Sequence, residues 1–355
     1  MAPTEPQVPS PFLQAMVLAA GRGERMRPLT LVRAKPACPV GTWPLIWYAL
    51  RFLRRQGYGS AAVNLHHLAG SVKRWLGPAR AWDLELQAFE EETLLGTGGG
   101  PRALRDRFGA GPLLLLSGKL LLDGDLSAAR ERHQTSGAAA TLFLWPNLDP
   151  RRYTSIVWDG SDGLVRDFLS AGPPSESGSP ADQRWMFIGV QFLNPALLER
   201  LPAAAPSDLI RDLYLPLVRA GAVRAEIFPG SWFEVSDVKS YWQINQLLLA
   251  GKLDLPESPS ITDGSCIDPQ ASVDPTARLS GCCVGTRSRV GARASLDRTL
   301  VWEDADIGAD SRLSEVIVTD GVRLPAASSY RREILIADQA QGLRRFPLEP
   351  LSEPE

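Results

Sequence analysis

The residues best suited to chemistry lie near the N-terminus. Met16-Val17-Leu18-Ala19-Ala20 runs into Gly21-Arg22-Gly23-Glu24-Arg25-Met26-Arg27-Pro28-Leu29-Thr30, and Lys35-Pro36 follows five residues later. An apolar strand that breaks into such a loop is a phosphate site. Glycines let backbone N–H groups close on an anion, and Arg and Lys neutralise its charge. Here Arg22, Arg25 and Lys35 cluster around Gly21 and Gly23. No Gly-Lys-Ser/Thr follows, which excludes the lysine-bearing P-loop. The third glycine and the prompt helix of the dinucleotide fingerprint are also missing.

The elements that must position this loop come next. Apolar stretches at 15–20, 60–65, 84–89, 113–117, 138–145, 185–193 and 223–228 read as strands, and amphipathic stretches at 44–56, 68–76, 98–107 and 125–136 lie between them as helices. This alternation predicts an α/β domain over 15–250 with a Rossmann-like, mostly parallel sheet. Ligands in such sheets bind beyond the carboxyl ends of the strands, where the glycine loop falls. Residues 1–14 read as a disordered tail, 171–183 as a flexible loop and 251–261 as a linker.

From 262 to 328 the texture changes. Ile267, Val273 and Leu279 are six apart; after a one-residue slip so are Val284, Val290, Leu296 and Trp302, and Ile307 and Leu313 continue. Hexapeptide repeats predict a parallel β-helix. Trp302 and Val318, among polar hexads, suggest a face for self-association or for a paralogue, and 329–355 reads as a charged, Pro-rich tail.

At 355 residues the chain suits two domains, and its net charge of −2 argues against a general nucleic-acid or membrane surface. No apolar run reaches the roughly 20 residues that span a bilayer. Cys38, Cys266, Cys282 and Cys283 fit no zinc spacing, and adjacent Cys282-Cys283 is a poor disulfide pair. The start has no basic n-region, so a cytoplasmic protein with reduced thiols is expected.

The glycine loop with Pro28-Leu29-Thr30 and Lys35-Pro36 resembles that of the sugar-nucleotide pyrophosphorylases. A nucleotidyltransferase domain followed by a left-handed β-helix is similar to bacterial sugar-1-phosphate nucleotidyltransferases, nearest the mannose-1-phosphate guanylyltransferase branch. The resemblance implies that a nucleoside triphosphate, GTP by preference, and a sugar 1-phosphate such as mannose 1-phosphate are joined into a nucleotide-sugar. It implies catalytic roles for Arg25 and Lys35, and nucleotide contacts for Leu18, Ala19, Ala20, Gly21 and Gly23. Leu95-Gly96-Thr97-Gly98-Gly99 matches the segment that touches base and ribose, which implies nucleotide contacts for Gly96, Thr97 and Gly98. Val63-Asn64-Leu65-His66-His67 and Phe187-Ile188-Gly189-Val190 match further segments, which implies sugar contacts for Asn64 and Gly189. His66 and His67 read as structural.

Mg²⁺ is the cofactor implied, and here the chain departs from the pattern. The family's metal-holding Asp after the fourth strand is Lys119 in Ser117-Gly118-Lys119; the other metal carboxylate is Glu234 in Trp232-Phe233-Glu234. The sugar-phosphate Glu-Lys pair is Ser170-Ala171. An ammonium at Lys119 would repel a metal, leaving Asp123 or Asp237 as the carboxylates that would have to take it over. Two readings follow: a nucleotidyltransferase with a rearranged site, or a silent nucleotide-sugar-binding paralogue that regulates a partner.

Overall fold

A computed structural model of the chain describes residues 12–77, 84–169, 184–203, 205–253, 255–256, 259–338, 340 and 342–349. Residues 1–11 of the expected tail and the expected loop 171–183 lie outside them. Leu13, assigned to the tail, is instead buried and bridges to Phe108.

The first part contains β1 (Ala15–Leu18), β2 (Pro39–Val40), β3 (Trp43–Pro44), α1 (Leu45–Arg55), β4 (Ser60–Leu65), α2 (Ala69–Lys73), β5 (Glu85–Glu90), α3 (Gly96–Ala103), β6 (Leu113–Ser117), β7 (Leu120–Gly124) and α4 (Ser127–Ser136). It continues with β8 (Ala140–Pro146), β9 (Ser155–Trp158), β10 (Val165–Leu169), β11 (Trp185–Leu193), α5 (Leu215–Arg219), β12 (Val223–Ile227), β13 (Gly230–Glu234) and α6 (Val238–Leu249). Nine strands form one sheet in the order β10-β9-β11-β6-β1-β4-β5, with β8 on β11 and β12 on β8.

The sheet is mixed rather than mostly parallel. β6, β1, β4 and β5 run parallel, but β11 runs antiparallel to β6, β8 and β9. The parallel centre is buried on both faces, which is why Leu113-Leu114-Leu115-Leu116 is continuously apolar. Leu114 and Leu116 face a core that includes α1 and α6, while Leu113 and Leu115 face a second core with Leu209 and Leu213. The periodicity does not announce a small antiparallel pair outside the main sheet: β7 joins β13, with Glu234 opposite Leu120.

Beyond residue 262 three parallel ladders stack. Cys266 pairs with Cys283, Cys283 with Leu300, Leu300 with Ile317 and Ile317 with Ile334. Ser272, Arg289, Asp306 and Arg323 form the second ladder, and Arg278, Ser295, Arg312 and Ser329 the third. The chain therefore returns to the same ladder every 17 residues, two steps of six and one of five. The one-residue slip recurs in every turn, so Val301, not Trp302, follows Val284 in register. Left-handed residues mark the corners. There Arg287 forks onto Asp304 and Arg293 onto Asp310, each at 2.6–2.7 Å. The inner face is apolar, with Val284, Val290, Leu296, Ile307 and Leu313 buried.

Two expectations fall here. Trp302 and Val318 are 1% and 0% exposed, so they offer no contact face. Trp302 turns toward the first domain, where its Nε1 donates to the Tyr241 hydroxyl at 2.9 Å. The stretch after 329 is not a tail: Ser329–Asp338 extends the ladders and pairs antiparallel with Gly342–Pro347. The charged runs Arg331-Arg332-Glu333 and Arg344-Arg345 flank a short apolar stretch, Ile334–Ala337, which carries the strand. The four cysteines are buried free thiols, and among the described residues no helix is long and apolar enough to cross a membrane.

Candidate active site

A cavity of about 820 Å³ opens beyond the carboxyl ends of β1, β4 and β6. The site residues expected from sequence that line it are Leu18, Ala19, Ala20, Gly21, Gly23, Arg25, Lys35, Asn64, Gly96, Thr97, Lys119, Gly189 and Glu234. Gly98 does not line it. It packs instead against Ser207, whose carbonyl accepts its N–H at 2.9 Å.

The glycine loop leaves β1 and is pinned from both sides. Asn64, at the end of β4, accepts the Ala19 N–H at 2.8 Å and donates to Glu91 at 2.8 Å. Glu91 in turn accepts the Leu95 N–H at 2.9 Å. The Asn64 amide thus ties the phosphate loop to the Gly96 loop, and both its ends are taken up by the protein. Gly23 has φ +64°, and a Cβ there would stand 2.8 Å from Thr30; this turn requires glycine. Gly96, at φ +76°, would clash with the Ser207 carbonyl. The Thr97 hydroxyl donates to Asp208 at 3.0 Å and accepts the Leu209 N–H, so it shapes the rim as much as it faces the cavity. The histidines are latches: His66 meets the Glu91 carbonyl and His67 the Thr30 carbonyl, at 2.9 and 2.8 Å.

The pairing of β7 with β13 brings Lys119 and Glu234 together. Glu234 lies opposite Leu120, and the Val235 N–H donates to the Lys119 carbonyl at 3.0 Å. The Lys119 ammonium is hydrogen-bonded to the Glu234 carboxylate, whose side chain is only 6% exposed. Lys35 comes from the opposite wall, and its Nζ donates to the Val235 and Ser236 carbonyls at 3.2 and 2.9 Å. Burial, then the charges of Lys119 and Arg25, pull its pKa down to about 8 against a partial offset from Glu234. Burial pushes the Tyr153 phenol up, and Glu234 beside it adds to the effect. Arg22, Arg25, Lys35 and Lys119 line the cavity with Glu24, Asp208 and Glu234, so four cations face three carboxylates, a field suited to a polyphosphate.

A divalent cation does not fit this donor set. Among the described residues no three His, Cys, Asp or Glu side chains converge. Glu234 already holds an ammonium where a second carboxylate would be needed, and Mg²⁺ tolerates distorted oxygen octahedra poorly. The fallback carboxylates are engaged elsewhere. Asp237 caps α6 through the Ser240 N–H and pairs with Arg152 at 2.5 Å, and Asp123 faces Arg55 at 3.4 Å. Neither lines the cavity. Ser170 and Ala171 lie outside the described residues.

The sequence model of the nucleotidyl transferase family matches residues 14–251. The chain belongs to that family. It is 27% identical over 70% of its length to a UTP–glucose-1-phosphate uridylyltransferase of Synechocystis, of which it spans 66%. It is 24% identical to mannose-1-phosphate guanylyltransferase 1 of Arabidopsis thaliana, over 77% of this chain and 75% of that one. An N-acetylmuramate α-1-phosphate uridylyltransferase of Neisseria meningitidis is 29% identical over 64% of this chain and 94% of its own. In three dimensions the chain resembles a Bacillus anthracis protein solved under the name of a glucose-1-phosphate thymidylyltransferase. The TM-score is 0.59 at 18% identity, over 68% of this chain and 96% of that one; at that identity the likeness establishes the fold. Sequence reasoning missed Tyr153, Gln191, Asp208 and Ile210, which also line the cavity. No motif marks them, because they converge from the loop before β9, from β11 and from the helical turn at Leu209–Tyr214 that Asp208 caps.

Proposed function

We propose that this cavity binds a nucleoside triphosphate and a sugar 1-phosphate, or the nucleotide-sugar they form, and transfers the nucleotidyl group only slowly. The Lys119–Glu234 pair is the observation that supports this reading. A phosphate oxygen of the sugar attacks the α-phosphorus in line. The new P–O bond forms as the bond to the β-phosphate breaks, and the electron pair leaves with pyrophosphate. The protein's work is alignment and charge stabilisation. Arg25 and Lys35 neutralise the phosphates, and Lys119 supplies one fixed charge in place of two. Unit charges about 4 Å apart interact by roughly 4 kcal/mol at intermediate dielectric. One missing charge contact therefore slows the step by up to three orders of magnitude, at about 1.4 kcal/mol per tenfold.

GTP and mannose 1-phosphate are the substrates favoured by the Val63–His67 segment; relatives named for UTP keep that nucleotide in any panel. The three C-terminal ladders we read as the faces of a left-handed parallel β-helix, and the free thiols as those of a cytoplasmic protein. The second reading, a silent regulatory paralogue, is supported by the same Lys119 and by Ser170-Ala171 in place of the sugar-phosphate pair. Thermal-shift titration with GTP, UTP, GDP-mannose and UDP-glucose, with and without Mg²⁺, tests the binding claim. Stabilisation by at least one of them without Mg²⁺ is expected; no shift with any of the four would sink it.

A further inference from the structure

Gln191 lies on β11 at the cavity wall, 2% exposed, and its Oε1 has no hydrogen-bond partner. An unpaired buried amide oxygen costs about 1–3 kcal/mol, and native proteins keep few such groups. Other buried polar atoms share this state, among them Tyr58 Oη, Ser207 Oγ, Tyr214 Oη and Trp232 Nε1, but Gln191 alone of that group belongs to a residue lining the cavity. Its neighbours on the sheet are Leu115 and Leu142, opposite it in register, so an apolar side chain would suit the position. Beside it the β11–β8 ladder slips between Phe187 and Gln191, around Gly189 at φ +77°. The strand is thus irregular where it borders the cavity.

Strand order says which part of a ligand reaches this wall. The Gly96 loop follows the edge strand β5, the phosphate loop follows β1, and β11 lies on the far side of β6. A ligand with its base at the Gly96 loop and its phosphates at Gly21–Arg25 extends its remaining moiety across β6 to β11. We infer that Gln191 is a specificity-determining residue, its amide oxygen accepting a hydrogen bond from a hydroxyl or acetamido N–H of the sugar in a nucleotide-sugar. This rests on the nucleotide-sugar reading of the cavity. A site built to pair a substrate hydroxyl or N–H discriminates strongly against ligands lacking it, because its own polar group is then left unpaired.

The test is calorimetric titration of the full chain and of Gln191→Met, which is nearly isosteric and lacks the acceptor. The probes are UDP-glucose and GDP-mannose, each beside its parent UDP or GDP. The variant is expected to lose about tenfold or more in affinity for the preferred nucleotide-sugar, to bind the parent diphosphate unchanged, and to melt no lower than the unmutated protein. Unchanged affinity for both ligands, or a parallel loss for both, overturns the inference while leaving nucleotide binding standing. An unmutated protein that binds neither diphosphate nor nucleotide-sugar overturns the nucleotide reading itself and this inference with it.

Discussion

Arg33 and Asp320 form a bidentate pair, at 2.5 and 2.6 Å, across the junction of the two halves of the molecule. Arg33 is 1% exposed; it also reaches Glu303 at 2.7 Å and lies over the Trp302 ring. It stands two residues from Lys35, so the C-terminal ladders brace the segment that carries that lysine. Removing one partner of a buried ion pair costs about 3–5 kcal/mol, because the other charge is left uncompensated. Glu303 remains for Arg33, which places Asp320→Ala at the lower end, about 3 kcal/mol. Urea unfolding should show that loss; an unchanged midpoint would mean the junction contributes nothing to stability.

Lys35 sets a pH dependence. Its pKa in the folded chain is about 8, below the ordinary 10.5. Between those values the unfolded chain holds more protons, so this lysine's contribution to stability rises as pH goes from about 8 to 10.5 and is absent below 8. Anion binding needs the ammonium and moves the other way. Pyrophosphate affinity, followed by calorimetry, should fall as pH rises through 8, and Lys35→Met should flatten that fall. A profile in the variant as steep as in the unmutated chain would assign the titration to another group.

The element pattern was legible because the central strands are buried on both faces and end at glycine or charged loops. The phosphate loop was legible because Gly21, Gly23, Arg25 and Lys35 are close in sequence. What escaped was assembled at long range. Antiparallel β11 reads like any apolar strand, and Trp302 kept its place in a counted period although the 17-residue turn puts Val301 there. The Lys119–Glu234 contact depends on a β7–β13 pairing between segments about 110 residues apart, and Gln191 carries no motif at all.

Arg25 should matter to ligand rather than to fold. It is exposed on a short turn at the cavity. Arg25→Ala should weaken triphosphate binding about tenfold or more, about 1.4 kcal/mol, with an unchanged melting temperature. Equal affinity in the variant would move the phosphates away from this loop.

Lys119→Asp should create a two-carboxylate site with Glu234, since the β7–β13 pairing holds the two positions side by side. The variant should bind Mg²⁺ more tightly than the unmutated protein, read by calorimetry with the metal alone. No gain would mean that Glu234 is held too tightly elsewhere to serve a metal.

Pyrophosphate release by the unmutated protein is the most direct test of the central claim, that the Lys119–Glu234 pair has taken the place of a metal. It should be followed with GTP or UTP and matched sugar 1-phosphates across a Mg²⁺ titration. Slow release that barely responds to Mg²⁺ is the predicted result. A rapid burst that depends on Mg²⁺ would contradict it and would mean that Lys119 leaves Glu234 when substrate arrives.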